Sequence, residues 1–300
     1  MRPFVIFFIL VFIAISGSTK ASIGRFLPFS GFYPIPRETP EPINVNTFLT
    51  YPLLTFKPLT LSGNNEHEAA FIRNTGFSVQ VFLKNSSTTV TATGGPLYGN
   101  LYRFRKIIFY WANNANGTAY TTVNGKNGSP LEVAVVYVNL KYGPLTNAMR
   151  YRDGVSTVLF RIQIGSEPNP KFDQIAAAMK KIQKAGPLVP IKLHDVFKLF
   201  NEFPTNTRYF AYPGSLVSDE TTGEQFYCTT TIPVATHPTQ FISKKQFDDT
   251  FLKLLKYDGT QLINQKPQYP RGLRPVARSR GIVQPYSNLT VYHATSTDPE

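Results

Sequence analysis

Cysteine is almost missing from this 300-residue chain: Cys228 stands alone, beside four histidines at His67, His194, His237 and His293. One thiol closes no internal disulfide, and it cannot build a Cys-based zinc module or an iron–sulfur centre. The histidines are far apart in sequence, and no two stand at metal-ligand spacing. Charge is sparse at 16% of residues against 42% hydrophobic, which excludes a disordered polyelectrolyte and supplies a sizeable core. Acidic groups are the scarcer sign, 18 against 31 Lys+Arg, for a formal charge of +13. Such an excess suits an acidic partner without naming one. Glycine-rich phosphate loops are absent as well, Gly94-Gly95 and Gly117 reading as strand-end turns.

Only one long apolar run occurs. Residues 3–15 follow Met1-Arg2 and give way to the small and polar residues 16–21, the pattern of a secretory signal peptide cut after Ala21. The run is shorter than the roughly 20 residues of a membrane span. The expectation is a secreted, extracellular protein: residues 1–21 signal, 22–285 one domain, 286–300 a polar tail, with no stable membrane insertion after cleavage. Without Arg2 and Lys20 the mature chain keeps 29 basic residues against 18 acidic, or +11. On a secreted chain the Asn-x-Ser/Thr triplets at Asn85, Asn116, Asn127 and Asn288 are glycan acceptors in waiting, Asn127 the least suited because Pro130 follows its triplet.

Aromatics at 14%, with 24 Pro and 20 Gly, suit short strands and many turns. Alternating or continuous β-branched and aromatic runs predict strands over 78–83, 101–111, 131–138 and 156–164. Two helices stand out. One is predicted over 171–184, with Phe172, Ile175, Met179 and Ile182 at helical spacing and Gly186-Pro187 as its stop. The other opens on the capping box Ser243-Lys244-Lys245-Gln246, ahead of Phe247, Phe251, Leu254 and Leu255. Strands dominate without regular interleaving of helices, which argues for a mainly β (α+β) single domain and against a doubly wound sheet.

Several segments, in order, resemble the α-type carbonic anhydrases. They are Glu41-Pro42-Ile43-Asn44; Asn74-Thr75-Gly76 with Val79-Gln80-Val81; Gly95-Pro96-Leu97 with Tyr102-Arg103-Phe104 and Phe109-Tyr110-Trp111; Val123-Asn124-Gly125-Lys126 with Leu131-Glu132; Asn169-Pro170; Tyr212-Pro213-Gly214-Ser215-Leu216; and Ile242-Ser243. The resemblance covers roughly residues 35 to 280. It implies an α-carbonic-anhydrase-like domain, a ten-stranded, mostly antiparallel, strongly twisted sheet with short peripheral helices. It also implies a catalytic zinc on three neutral imidazoles, two of them two residues apart on one strand, where alternate side chains share a face.

Placed through Trp111 and Glu132, those ligand positions fall on Ile108, Tyr110 and Ala134. Two of these have no ligand atom, and a phenol that ionises near pH ~10 is a poor lone ligand. The family's proton-shuttle position falls on Phe77, its hydroxide-orienting position on Val217, and the carboxylate partner of the latter near Tyr120. Glu132, whose counterpart hydrogen-bonds a zinc ligand, is retained and is expected to serve a structural hydrogen bond. The reading is therefore a pseudoenzyme without zinc or another cofactor, acting as an extracellular binding module. Its alternatives are carbonic anhydrase activity or another reaction at an atypical metal site, and a structural secreted protein.

The cations gather in groups. Lys180, Lys181 and Lys184 lie where a helix C-terminus favours them. Arg103 and Arg105, in a run with Lys106, share one face of a strand, Lys244 and Lys245 lie on the polar side of the last helix, and Arg271 and Arg274 occupy a Pro-rich C-terminal stretch. These are the candidate contacts for a polyanion. Outside the cell that means an acidic glycan or an extracellular protein rather than nucleic acid.

Overall fold

Strand-forming residues take up the middle of the molecule. The computed structural model describes residues 44–45, 50–53, 59–63, 68–84, 88–97, 99–125, 128–151, 153–200, 209–211, 214–218, 226–230, 232–236, 240–264 and 276–279. The signal segment, the polar tail and Asn85, Asn127, Asn288, Arg271 and Arg274 lie outside them. Seventeen strands are described: β1 (Asn44–Val45), β2 (Thr50–Leu53), β3 (Thr60–Ser62), β4 (Ala69–Asn74), β5 (Val79–Leu83), β6 (Thr91–Thr93), β7 (Tyr102–Trp111), β8 (Thr122–Val123), β9 (Leu131–Asn139), β10 (Val155–Gly165), β11 (Leu188–Lys192), β12 (Tyr209–Ala211), β13 (Gly214–Ser218), β14 (Phe226–Thr230), β15 (Ile232–Thr236), β16 (Gln240–Ser243) and β17 (Val276–Ser279).

Ten of them form one continuous path, β11-β4-β5-β7-β9-β10-β15-β12-β17-β2, from which β3, β6 and β16 branch. Along the path only β10–β15 and β17–β2 are parallel. The mainly β, mostly antiparallel architecture expected from the sequence is the one observed. The four central predicted strands appear within a residue or so of their expected ends.

All nine residues of β9 are buried, because the sheet is covered on both faces. Alternation divides the side chains between the two coverings. One face carries Phe109 and Trp111, whose rings meet Phe251 at 5.9 and 5.4 Å; Phe251 in turn meets Phe172 and Phe247 at 6.0 and 5.7 Å. The opposite face carries Ile108 and Tyr110 and forms the site described below.

The first predicted helix is shorter than its apolar spacing suggests. A 3-10 turn, Pro170–Phe172, leads into Asp173–Lys181, and the chain then leaves the helix at Ile182. Tertiary hydrogen bonds hold the chain that follows. The Gln183 carbonyl, which Pro187 cannot serve in a helical ladder, accepts the Leu255 N–H at 2.7 Å and the Asn74 side-chain amide at 3.3 Å, and the Gly186 N–H donates to the Asn74 carbonyl at 3.0 Å. Asn74, fully buried, also donates to the Leu255 carbonyl at 2.8 Å and accepts the Gly76 N–H at 2.8 Å. Gly76 sits at φ +83° with the Tyr257 ring against it, so a Cβ there would fall 2.5 Å from that ring.

The last helix starts as its capping box predicts: Ser243 Oγ accepts the Gln246 N–H at 3.1 Å and Gln246 Oε1 accepts the Ser243 N–H at 3.0 Å. The α-helix spans Lys244–Thr250 and tightens into a 3-10 turn, Phe251–Lys253, leaving Leu254 buried but extended. Gln246 does more than cap. Its side chain accepts the Asn169 N–H at 2.8 Å and donates to the Asn169 carbonyl at 2.9 Å, stapling the starts of the two helices together. Chemical denaturation should therefore show Ser243→Ala destabilising by about 1 kcal/mol and Gln246→Ala by about 2 kcal/mol, the difference being the bonds to Asn169.

Candidate functional site

Strand register builds the candidate site. Ile108 on β7 lies opposite Ala134 on β9, and Tyr110 lies opposite Glu132. On the far side of β9, β10 places Leu159 opposite Ala134 and Arg161 opposite Glu132. Directly paired residues share a face, so these six side chains leave the sheet on the same side. Ile108, Tyr110, Ala134 and Leu159 belong to a buried cluster completed by Ala119, Tyr120, Val136, Val138, Ala148 and Val155. Tyr142, Leu145 and Met149 pack against it from the segment around the short helix Leu145–Ala148. The Tyr110 and Tyr120 rings lie 4.7 Å apart between centroids, tilted by 39°. The cluster is aliphatic and aromatic, and its polar side-chain atoms are phenol oxygens.

Glu132 is the acid beneath this cluster, and it is 0% exposed. Its Oε1 accepts the Thr121 N–H at 2.8 Å, while Oε2 is buried without a hydrogen-bond partner among the described residues. Burial pushes the carboxyl up to about 7, against the pull of the Arg161 charge and the Thr121 N–H. By holding the backbone at Thr121, Glu132 fixes the position of the preceding residue, Tyr120, over Tyr110. It is a positioning group for the aromatic pair.

The other predicted positions fall elsewhere. Phe77 is 46% exposed in the turn closed by Thr75 and Ser78, and it is not part of the buried cluster. Val217 is on β13, in register with Tyr227 of β14, and its side chain lies outside the described set. Asn116 is exposed in a turn where its N–H donates to Asn114 Oδ1 at 2.9 Å. Arg103 and Arg105 are exposed, but Lys106, expected in the same basic group, is only 4% exposed. Lys106 is the cross-strand partner of Val136, a member of the buried cluster, which places it on that inner face. Lys244 and Lys245 each pair one helical turn on, with Asp248 and Asp249, so much of their charge is locally offset.

Sequence reasoning passed over Leu159, Arg161 and the covering residues Tyr142, Leu145 and Met149. Alternation along β10 carries enough signal to find Leu159 and Arg161. Nothing local marks Leu145 or Met149, whose packing follows from where the chain turns after β9.

The buried carboxyl makes stability pH-dependent. A glutamate ordinarily ionises near 4.5, so between that value and about 7 the unfolded chain has lost a proton that the folded chain keeps. Stability then falls as pH rises through this window, by up to about 3 kcal/mol from this group, and levels off above it. Glu132→Gln keeps an acceptor for the Thr121 N–H and removes the charge. Urea unfolding should show it matching the parent near pH 5 and exceeding it at pH 8.

The family model for eukaryotic-type carbonic anhydrases matches residues 38–280. Carbonic anhydrase 4 of Rattus norvegicus is 24% identical over 243 residues, 80% of this chain and 75% of that protein. Carbonic anhydrase 7 of Homo sapiens is 30% identical over 194 residues, 62% of this chain and 69% of its own length. Carbonic anhydrase 1 of Mus musculus is 28% identical over 189 residues, 63% and 70% of the two chains. With the ten-strand path and a family match that spans most of its length, this chain belongs to the eukaryotic-type carbonic anhydrase family.

Proposed function

We propose that this chain is a secreted carbonic anhydrase-related protein that has given up the zinc reaction and works by binding. One observation carries the reading: Ile108, Tyr110 and Ala134, which the family resemblance aligns with the three zinc imidazoles, meet in one buried aliphatic and aromatic cluster. The donor set does not fit zinc. Isoleucine and alanine side chains offer no lone pair, and the phenol of Tyr110, its ring 4.7 Å from that of Tyr120, is a poor lone ligand. Glu132, one residue pair away, is fully buried and spends one oxygen on the Thr121 N–H, so a single carboxyl does not replace three imidazoles. Among the described residues of this cluster, no side chain offers zinc an imidazole or a thiolate.

Secretion rests on the signal pattern of residues 1–21, and the exposed Asn116 suits a glycan acceptor on such a product. The binding role rests on the charge excess. Arg103 and Arg105 present exposed guanidinium groups for sulfate or carboxylate, whereas Lys244 and Lys245 contribute less because Asp248 and Asp249 accompany them. An extracellular acidic glycan is the partner this surface favours.

Three measurements decide the matter. Elemental analysis of the secreted protein should find well under one zinc per chain, and stopped-flow assays should find carbon dioxide hydration no faster than buffer. Stoichiometric zinc with hydration activity would establish the enzyme reading instead. On a heparin column the protein should stay bound at physiological salt, and Arg103→Ala with Arg105→Ala should elute earlier in a salt gradient, as screened charge contacts require. Flow-through of the parent protein at physiological salt would sink the glycan version.

A further inference from the structure

A second concave surface lies at the β11 end of the strand path. Its origin is visible in the sequence. The helix Asp173–Lys181 carries three consecutive alanines, Ala176, Ala177 and Ala178, and β4 opens with Ala69-Ala70. Methyl groups fill little of the space between this helix and the edge formed by β4 and β11, and a groove of about 590 Å³ remains. Small-molecule sites commonly enclose roughly 300–1,000 Å³, mostly apolar with a few placed polar groups. The walls here fit that description: Phe71, Ala177, Ala178, Val189 and Ile191 are all part of the lining.

Among the charged groups of the lining, three lysines outnumber one carboxylate. Lys192 is the cross-strand partner of Ala69 on β11, and Lys84 donates its backbone N–H to the Ala69 carbonyl from the other side. The two lysines thus flank one alanine, while Lys181 reaches the groove from the last turn of the helix. All three are exposed. The carboxylate in the lining, Asp195, already accepts Lys198 Nζ at 2.9 Å. An apolar trough rimmed by three ammonium groups, whose acid is engaged elsewhere, is complementary to an anion with an apolar body.

We propose that this groove binds a small amphipathic anion, a compact aromatic or aliphatic molecule bearing one carboxylate, sulfate or sulfonate at its edge. The body would lie along Phe71, Val189 and the alanine face of the helix, and the anionic group would meet Lys84, Lys181 and Lys192. The groove shares no residue with the buried cluster around Tyr110. It stands whether or not the chain hydrates carbon dioxide.

The test uses the full-length secreted protein and 8-anilinonaphthalene-1-sulfonate as probe. Fluorescence titration should give saturable binding of one probe per chain. Substituting Lys84→Gln, Lys181→Gln and Lys192→Gln together should weaken it by about tenfold, the sum expected of three exposed charge contacts. The uncharged analogue N-phenyl-1-naphthylamine should bind the two proteins within about twofold of each other, since its contacts are apolar. Ala177→Trp, at an exposed helical position, should fill the groove and abolish binding of both probes, with thermal unfolding checking that the fold is intact. Should that variant fail to fold, Lys192→Glu, at the exposed strand edge, serves as the second test and should weaken the sulfonate alone. The proposal is overturned if the probe does not saturate, if it binds the groove-filled variant as well as the parent, or if removing the three lysines leaves its affinity unchanged.

Discussion

The pairing of β7 with β9 decides what this molecule can do. β9 and the Lys106–Trp111 part of β7 are buried on both faces, so a slip of one residue would exchange Phe109 and Trp111 with Ile108 and Tyr110 across the sheet. The aromatic packing of Phe109 and Trp111 on Phe251 makes that exchange prohibitive. Once the register is set, Ile108 must face Ala134 and Tyr110 must lie over Glu132. The contents of the cleft then follow from which residues occupy those four positions.

Those contents are mutually consistent. A small residue at Ala134 and a branched one at Ile108 leave room for the tilted ring pair of Tyr110 and Tyr120, and Leu159, Leu145 and Met149 close the remaining sides. Glu132 is the buried acid of this face. Its carboxyl is raised because water has been excluded, and its bond to the Thr121 N–H keeps the segment carrying Tyr120 in place. A face built for chemistry needs exposed, solvated donors, whereas this one has the composition of a core.

Much of the fold was legible because its signals are local. The long β-branched and aromatic runs of β7, β9 and β10 have the alternation or continuity of buried strands, and Ser243 with Gln246 marks a helix start that appears where expected. The helix predicted to continue to residue 184 stops at Lys181, and the chain after it is tied to Asn74 and Leu255, partners too distant in sequence to be read locally. Lys106 is buried because it stands opposite Val136 on β9, a pairing that the local run of cations does not show.

The sequence by itself determined the strand-rich class, the capping box, the excess of positive charge and the identities Ile108, Tyr110, Ala134 and Glu132, because each is a property of composition or of neighbours in the chain. Only the tertiary structure decided that Tyr110 packs against Tyr120, that Glu132 loses its water and ionises late, that Lys244 and Lys245 are accompanied by acids, and that alanines on a helix and a strand open a lysine-rimmed groove. Most of these depend on segments that approach from far along the chain, and the Lys244 and Lys245 pairs on side-chain placement. Burial, stacking and concavity are relations between surfaces, and no residue carries them alone.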